Sequence, residues 1–321
     1  MNVLLVGLGR WGEKHLRVLG EIGVTTWVAD FSPARLAWAV ERGIDRERAV
    51  TDYRQALPHV EAVDVVTPAD SHLAVAGGAL RAGRHCFVEK PLAYTVSEGR
   101  ELERTVRETG RVMQVGHIFR FHPVTATLRE ALDAERIGRV RYATGRFSGF
   151  KRPRTDVGVN ATDGIHYFDL FAHLFRQPAT AVAAVQRDYL GRGLEDMSLT
   201  IVHYGDVVAT VEANYFVPGT HRECVIVGER GTLVADYGAG SVRLHHGEHR
   251  RTANGWEAVD GVVEELKVGG EEPLRAELAA FVDACRGVIP VPVSASDGVR
   301  AMEVVDAAAR AARTGQLVVL G

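Results

Sequence analysis

Asp163, His166, Asp169 and His173 interrupt an otherwise apolar stretch, ATDGIHYFDLFAHLF, at residues 161–175. At about 100° per residue, a helix puts His166, Asp169 and His173 on one narrow stripe, with Asp163 at its edge. Ile165, Phe168, Leu170, Phe171, Leu174 and Phe175 cover the rest of the circumference, and a helix apolar nearly all round is normally buried. Imidazole titrates near physiological pH, so it takes and gives protons there. A neighbouring carboxylate can orient the ring. A buried helix with such an edge faces something polar. His173, one to two turns beyond His166, reads as a buried histidine bonded to backbone.

A second chemical stretch is FVEKPLA at 87–93. Pro91 restricts Lys90 to an extended conformation, which fixes the direction of its ammonium. Such a lysine can donate to a hydroxyl and lower its pKa, or move a proton if desolvated. An isolated EKP is better read as a solvated surface lysine; its place at a strand end argues otherwise.

That place follows from the first third of the chain. NVLLV (2–6), TTWVAD (25–30), VDVVTP (63–68), HCFVEKP (85–91) and RVMQVGH (111–117) are strand-like, and helical patterns separate them. Ser32 and Pro33 mark one helix start, as N-cap and first residue. Alternation of this kind predicts a doubly wound parallel sheet, with ligands at the carboxyl ends of its strands.

Gly7, Gly9 and Gly12 follow the first strand, open a helix, and have an acid, Asp30, at the end of the second strand. A lone G-x-G-x-x-G means little; in this context it predicts a dinucleotide site, against the alternative of a merely tight turn. Gly7 permits the turn, Gly9 lets backbone approach a pyrophosphate, and Gly12 allows close helix–sheet packing. The helix N-terminus would face the phosphates. Asp30 would accept from ribose hydroxyls and repel a 2′-phosphate, favouring NAD, while Arg35 leaves NADP open. Arg10, Trp11, Thr67, Pro68, His72, Glu89 and Lys90 complete the candidate cofactor set.

After about residue 120 the pattern changes to strand-like runs separated by Gly, Asp and Pro turns: 139–150, 179–190, 196–205, 207–217, 222–237 and 241–246. These predict a mostly antiparallel sheet. Amphipathic helices at 272–287 and 295–315 would cover it or return to the first domain. The expected domains are 1–119 and 120–321. His245 and His246 read as the exposed end of a strand.

Composition narrows the classes. The 321 residues are 46% hydrophobic and 25% charged, with a net charge of −3, which leaves no electrostatic footprint for nucleic acid. No apolar run approaches the ~20 residues that span a bilayer, so no membrane is expected. The N-terminal stretch MNVLLVGLGRWG lacks the basic region of a signal peptide. Cys86, Cys224 and Cys285 lie far apart, as suits a reducing, cytoplasmic setting.

The segments GLGRWGEKHLRVL (7–19), VVTPADSH (65–72), AGRHCFVEKPLA (82–93), VGHIFRFHP (115–123) and GIHYFDL (164–170), in this order, resemble the Gfo/Idh/MocA family of glucose–fructose oxidoreductases and inositol dehydrogenases. The resemblance implies an N-terminal Rossmann domain and a C-terminal α+β domain whose large open, mostly antiparallel sheet commonly builds homodimers or homotetramers. It implies NAD(P)-dependent hydride transfer at a secondary alcohol or keto carbon of a sugar or cyclitol, with Lys90 and His166 as catalytic groups. The stretches 115–123 and 137–159 look most like the branch acting on nucleotide-linked amino sugars, such as UDP-N-acetylglucosamine 3-dehydrogenases. Arg146, Lys151, Arg152 and Arg154 could then meet a diphosphate or carboxylate, or form a solvated basic loop. His117 and Arg120, past a strand end, are pocket-lining or structural.

One departure stands out. Many members carry an aspartate four residues before the histidine, where this chain has Thr162; its acid is Asp163. Either Asp163 takes over, or Thr162 bonds the substrate while Lys90 and His166 carry the chemistry. Two other classes compete with a dehydrogenase: a sugar- or NAD-sensing regulator of the same fold, and a divalent metal site on the Asp/His stripe. No cysteine joins that stripe and the resemblance offers no metal, so none is expected.

Overall fold

The computed structural model describes residues 1–321. By contacts the chain forms two compact units: Met1–Ile118 with Glu272–Met302, and Phe119–Glu271 with Glu303–Gly321.

The first unit holds β1 (Asn2–Val6), α1 (Gly12–Glu21), β2 (Thr25–Ala29), α2 (Pro33–Val40), β3 (Ala49–Val50), β4 (Ala62–Val65), α3 (His72–Arg81), β5 (His85–Glu89), α4 (Val96–Thr109) and β6 (Met113–Gly116). Its strands are all parallel, in the order β3-β2-β1-β4-β5-β6. Their short apolar runs are buried on both faces, which parallel sheets require. Register matters most for function: Val6 pairs Ala29 and Val65, Val65 pairs Val88, and Val88 pairs Val115. The strands therefore end level, and the segments that follow β1, β4, β5 and β6 emerge at one edge. The Ser32 hydroxyl accepts from the Arg35 amide, as the N-cap reading required.

The second unit begins with α5 (Pro123–Asp133), β7 (Val140–Gly149), α6 (Ile165–Phe175), β8 (Ala181–Arg187), β9 (Met197–Tyr204) and β10 (Val207–Asn214). It continues with β11 (Thr220–Gly228), β12 (Gly231–Asp236), β13 (Ser241–Thr252) and β14 (Gly255–Leu266). α7 (Pro273–Cys285) and the start of α8 (Ala295–Thr314) belong to the first unit, and the rest of α8 and β15 (Val318–Val319) to the second. The nine strands run β14-β13-β12-β11-β7-β10-β9-β8-β15, antiparallel except for the β7–β10 pair.

Three readings change. The run 222–237 is a hairpin of two strands, because Glu229 and Arg230 turn it between β11 and β12. β13 continues to Thr252, so His245 and His246 lie inside it. The helix expected over 161–175 opens as a π turn, Asn160–Gly164, before α6 begins.

α7 buries Leu274, Leu278 and Phe281 in the same core as Val3, Leu5, Val28 and Phe87. In the second unit α6 lies on one face of the sheet. Tyr167 packs where a Cβ on Gly145 would come within 2.7 Å of its ring, and the Tyr204 hydroxyl donates to the Phe168 carbonyl at 2.9 Å.

Candidate functional site

In the first unit the glycine loop fits a dinucleotide. A Cβ on Gly7 would meet the Val66 carbonyl at 2.7 Å, and φ there is +97°. A Cβ on Gly12 would meet the Gly7 carbonyl at 2.0 Å, so only glycine closes this turn. Gly9 differs: a Cβ there meets nothing within 4 Å, and the residue is exposed, so its backbone is open to an outside group. Arg10 beside it is also exposed. Asp30 braces the loop, Oδ2 accepting from the Leu8 amide at 2.7 Å and Oδ1 from the Ser32 amide at 2.8 Å. A carboxylate has about four lone-pair sites, so acceptor capacity remains for ribose hydroxyls. Arg35 donates through Nε to the Leu8 carbonyl and through Nη2 to Glu13, each at 2.6 Å, and stacks on Trp38. Two of its five N–H donors are thus used within the chain.

The strand-end loops are clamped together. Both nitrogens of buried His72 face carbonyls: Nε2 that of Thr67 at 2.9 Å, Nδ1 that of Pro91 at 3.0 Å. Burial pushes the His72 pKa down, favouring the neutral ring. Thr67 also accepts from Ser71, which shapes the turn containing Pro68. Glu89 is buried, its Oε1 accepting from the Trp11 indole at 2.7 Å and its Oε2 from the Lys90 amide at 3.1 Å. Trp11 stands at the N-cap of α1 and makes no side-chain cap; its indole N–H, a donor only, goes to Glu89 instead. His117 follows β6 and is buried.

Sequence reasoning missed two members of this cluster. His15 on α1 lies with Nδ1 2.8 Å from Asp64 and Nε2 3.2 Å from Glu89. Burial alone would lower its pKa; Asp64 and Glu89 outweigh that and push it up to about 10. Burial would raise Glu89, but His15, Trp11 and Lys90 hold it below the usual carboxylate range. A carboxylate inside an apolar strand, Asp64 in VDVV, was the available signal.

In the second unit Phe147 organises the candidate site. His166, 7% exposed, stacks on it with centroids 5.2 Å apart and on Phe119 at 4.8 Å. The Lys151 ammonium lies 5.0 Å from the Phe147 centroid and pairs with Asp163, at 2.9 Å from Oδ1. Arg222 lies over Phe147 at 3.4 Å and donates to the Ser148 and His221 carbonyls. Burial lowers the Arg222 pKa. Nothing in the alternating run RECVIVG singled this arginine out. Thr162 donates to the Gly158 carbonyl at 2.8 Å, and burial raises the pKa of the Tyr215 hydroxyl.

Arg120 is expected as pocket-lining or structural, and Asp169 lies on the polar stripe of the helix. The two form a fork-to-fork pair, with Nε to Oδ2 at 2.8 Å, and their side chains are 10% and 1% exposed. Of the basic chains expected at an anionic group, Arg146 faces Glu212 and Glu223, and Arg154 pairs with Asp156. Lys151 takes Asp163, and Arg152 is exposed. No three His, Cys, Asp or Glu side chains come together in a group able to hold a metal ion. All three cysteines are free, and no helix is long and apolar enough to cross a membrane.

Comparison with known proteins shows the family of the chain. A family described as "Oxidoreductase family, NAD-binding Rossmann fold" matches residues 1–117, and one described as "Oxidoreductase family, C-terminal alpha/beta domain" matches 129–320. The UDP-N-acetylglucosamine 3-dehydrogenase of Acidithiobacillus ferrooxidans is 28% identical over 310 residues, covering 96% of this chain and 95% of that one. Its structure superposes with a TM-score of 0.84 at 26% identity, over 98% and 99% of the two chains. The inositol 2-dehydrogenase of Acidothermus cellulolyticus is 30% identical over 335 residues, 99% of this chain and 94% of its own. A levoglucosan dehydrogenase solved with NADH and levoglucosan shares the fold, with a TM-score of 0.85 at 22% identity over 99% of each chain. The chain belongs to the Gfo/Idh/MocA family and is an oxidoreductase whose Rossmann domain binds NAD.

Proposed function

We propose that the chain transfers hydride at a secondary alcohol or keto carbon of a sugar, in particular a nucleotide-linked or amino sugar. The observation that carries this is the buried His166, held in an aromatic stack that also seats the Lys151–Asp163 pair. Bound NAD supplies the hydride acceptor. His166 takes the hydroxyl proton as the alcohol becomes a ketone. Lys90 donates to the same oxygen and steadies the developing alkoxide. Asp163 sets the charge around the imidazole, and Thr162 with Tyr215 adds hydroxyls for the sugar.

The test is NADH absorbance with UDP- and dTDP-sugars, free amino sugars and inositols, each with NAD and NADP. Turnover of a nucleotide or amino sugar, lost in His166→Ala and Lys90→Ala, is the expected result. Unchanged turnover in both variants overturns the residue assignment. Tight NAD binding with no absorbance change across the panel turns the reading to a sensor of the same fold. Turnover of inositols alone favours the second reading, a cyclitol dehydrogenase, which the inositol 2-dehydrogenase relative supports.

We further infer that the chain assembles as a homodimer or homotetramer through the open face of its sheet. Val185 lies opposite Leu199, and Ala183 opposite Ile201, on a face where the three larger residues are 42–50% exposed. Contiguous exposed apolar strips of this kind mark interfaces. A monomer by light scattering at micromolar concentration overturns the assembly.

A further inference from the structure

We propose that His15, backed by Asp64, is a positioning residue for the nicotinamide half of the bound dinucleotide, acting through Glu89 on Trp11 and on the strand end at Lys90. It rests on the dinucleotide reading of the glycine loop and not on any choice of sugar.

The geometry is a relay within the first unit. Carboxylates face both nitrogens of His15, Asp64 at 2.8 Å and Glu89 at 3.2 Å. Nδ1 is hydrogen-bonded to Asp64, and Glu89 lies beside Nε2 at ion-pair distance, so the ring sits between two acids. Glu89 carries the constraint onward, one oxygen to the Trp11 indole and the other to the Lys90 amide. One carboxylate therefore ties the last residues of the glycine loop to the loop that presents Lys90. Its room to move is small: a Cβ on Gly116 would lie 3.0 Å from the Glu89 carboxyl, so β6 walls it in. Trp11 is held again from its other side, edge-on to His15 and under the Lys14 ammonium.

A purely structural account explains this cluster poorly. Buried charges are costly, and well-packed apolar replacements are often neutral or stabilising. All four side chains lie completely or largely out of solvent at the end of the sheet where the cofactor loop and EKP emerge. Fixing groups that touch a ligand is what such outlying hydrogen bonds do.

The experiment uses the full chain and compares two nucleotides, NAD and ADP-ribose, the latter lacking only the nicotinamide. Dissociation constants are measured for wild type, His15→Phe and Asp64→Asn, alongside melting temperatures. Trp11 emission is taken by difference against Trp11→Phe. The expected result is an NAD affinity weakened on the order of tenfold, the scale of one charge-assisted hydrogen bond, with ADP-ribose affinity unchanged and Trp11 emission shifted. NAD and ADP-ribose affinities falling together, in step with melting temperature, would make the cluster a fold device and overturn the proposal. So would unchanged NAD affinity in folded His15→Phe. Should that variant fail to fold, Trp11→Phe tests the link from its far end: the proposal then requires the same selective loss of NAD, and equal losses refute it. No substrate enters the measurement, so a wrong sugar leaves it standing.

Discussion

The ammonium of Lys151 sits 2.9 Å from Oδ1 and 2.7 Å from Oδ2 of Asp163, a carboxylate that is 2% exposed. Asp163 lies in the π turn Asn160–Gly164, which takes more residues per turn than an α-helix, and such turns commonly mark functional sites. The acid that the resemblance would place at 162 is therefore held at 163 by a loop lysine. Asp163→Asn keeps the shape and removes the charge. It is expected to lower kcat on the order of 10²-fold with a smaller change in KM, measured by initial rates on whichever sugar is turned over. Equal kcat in the variant would assign the pair to loop anchoring alone.

Asp30 does two jobs, and one variant separates them. Asp30→Ser removes the charge that repels a 2′-phosphate, so the preference for NAD over NADP narrows. The same change takes an acceptor from the Leu8 and Ser32 amides, which costs stability of about 1–3 kcal/mol. Cofactor titrations and urea unfolding read the two effects independently. An unchanged cofactor ratio would remove Asp30 from the ribose site.

Arg120 and Asp169 were legible as polar residues in an apolar setting, but not as partners. They are 49 positions apart, and only the fold brings their forks together. Breaking the pair with Arg120→Met leaves Asp169 buried without that cation and is expected to cost about 3–5 kcal/mol. Arg120→Met combined with Asp169→Leu recovers much of the loss. Thermal unfolding of the two variants checks this, and equal losses would show the pair to be unimportant.

Legibility followed local periodicity and failed where periodicity is absent. The first unit announces itself because parallel strands are short apolar runs and the glycines sit at a strand end. The second unit is read less well. β14, GWEAVDGVVEEL, is exposed along most of its length as an edge strand, so it has no apolar alternation to betray it. The π turn escaped because a stripe drawn at the α-helical angle cannot register a wider turn. Glu89 and Trp11 were found by position in the loop, whereas His15 and Asp64 act through them from inside the core. Arg222 reaches Phe147 across paired strands, β11 and β7, a relation set by register rather than spacing.

The buried His15 makes stability depend on pH in a particular direction. Its ordinary value is 6.5, and in the fold it rises to about 10. Between those values the native state keeps a proton that the unfolded chain has released. The stabilisation is complete below about 6.5 and drains away as pH rises through about 10, with a slope approaching one proton. Glu89 works at the other limb: held below its ordinary 4.5, it contributes stability above that pH and loses it as the solution turns acid. His15→Phe lacks the alkaline term. Urea midpoints of wild type and variant, measured in steps from near neutral pH upward, are therefore expected to converge as the solution becomes alkaline. Curves that stay parallel across that range would show that His15 is not held as a cation between its two carboxylates.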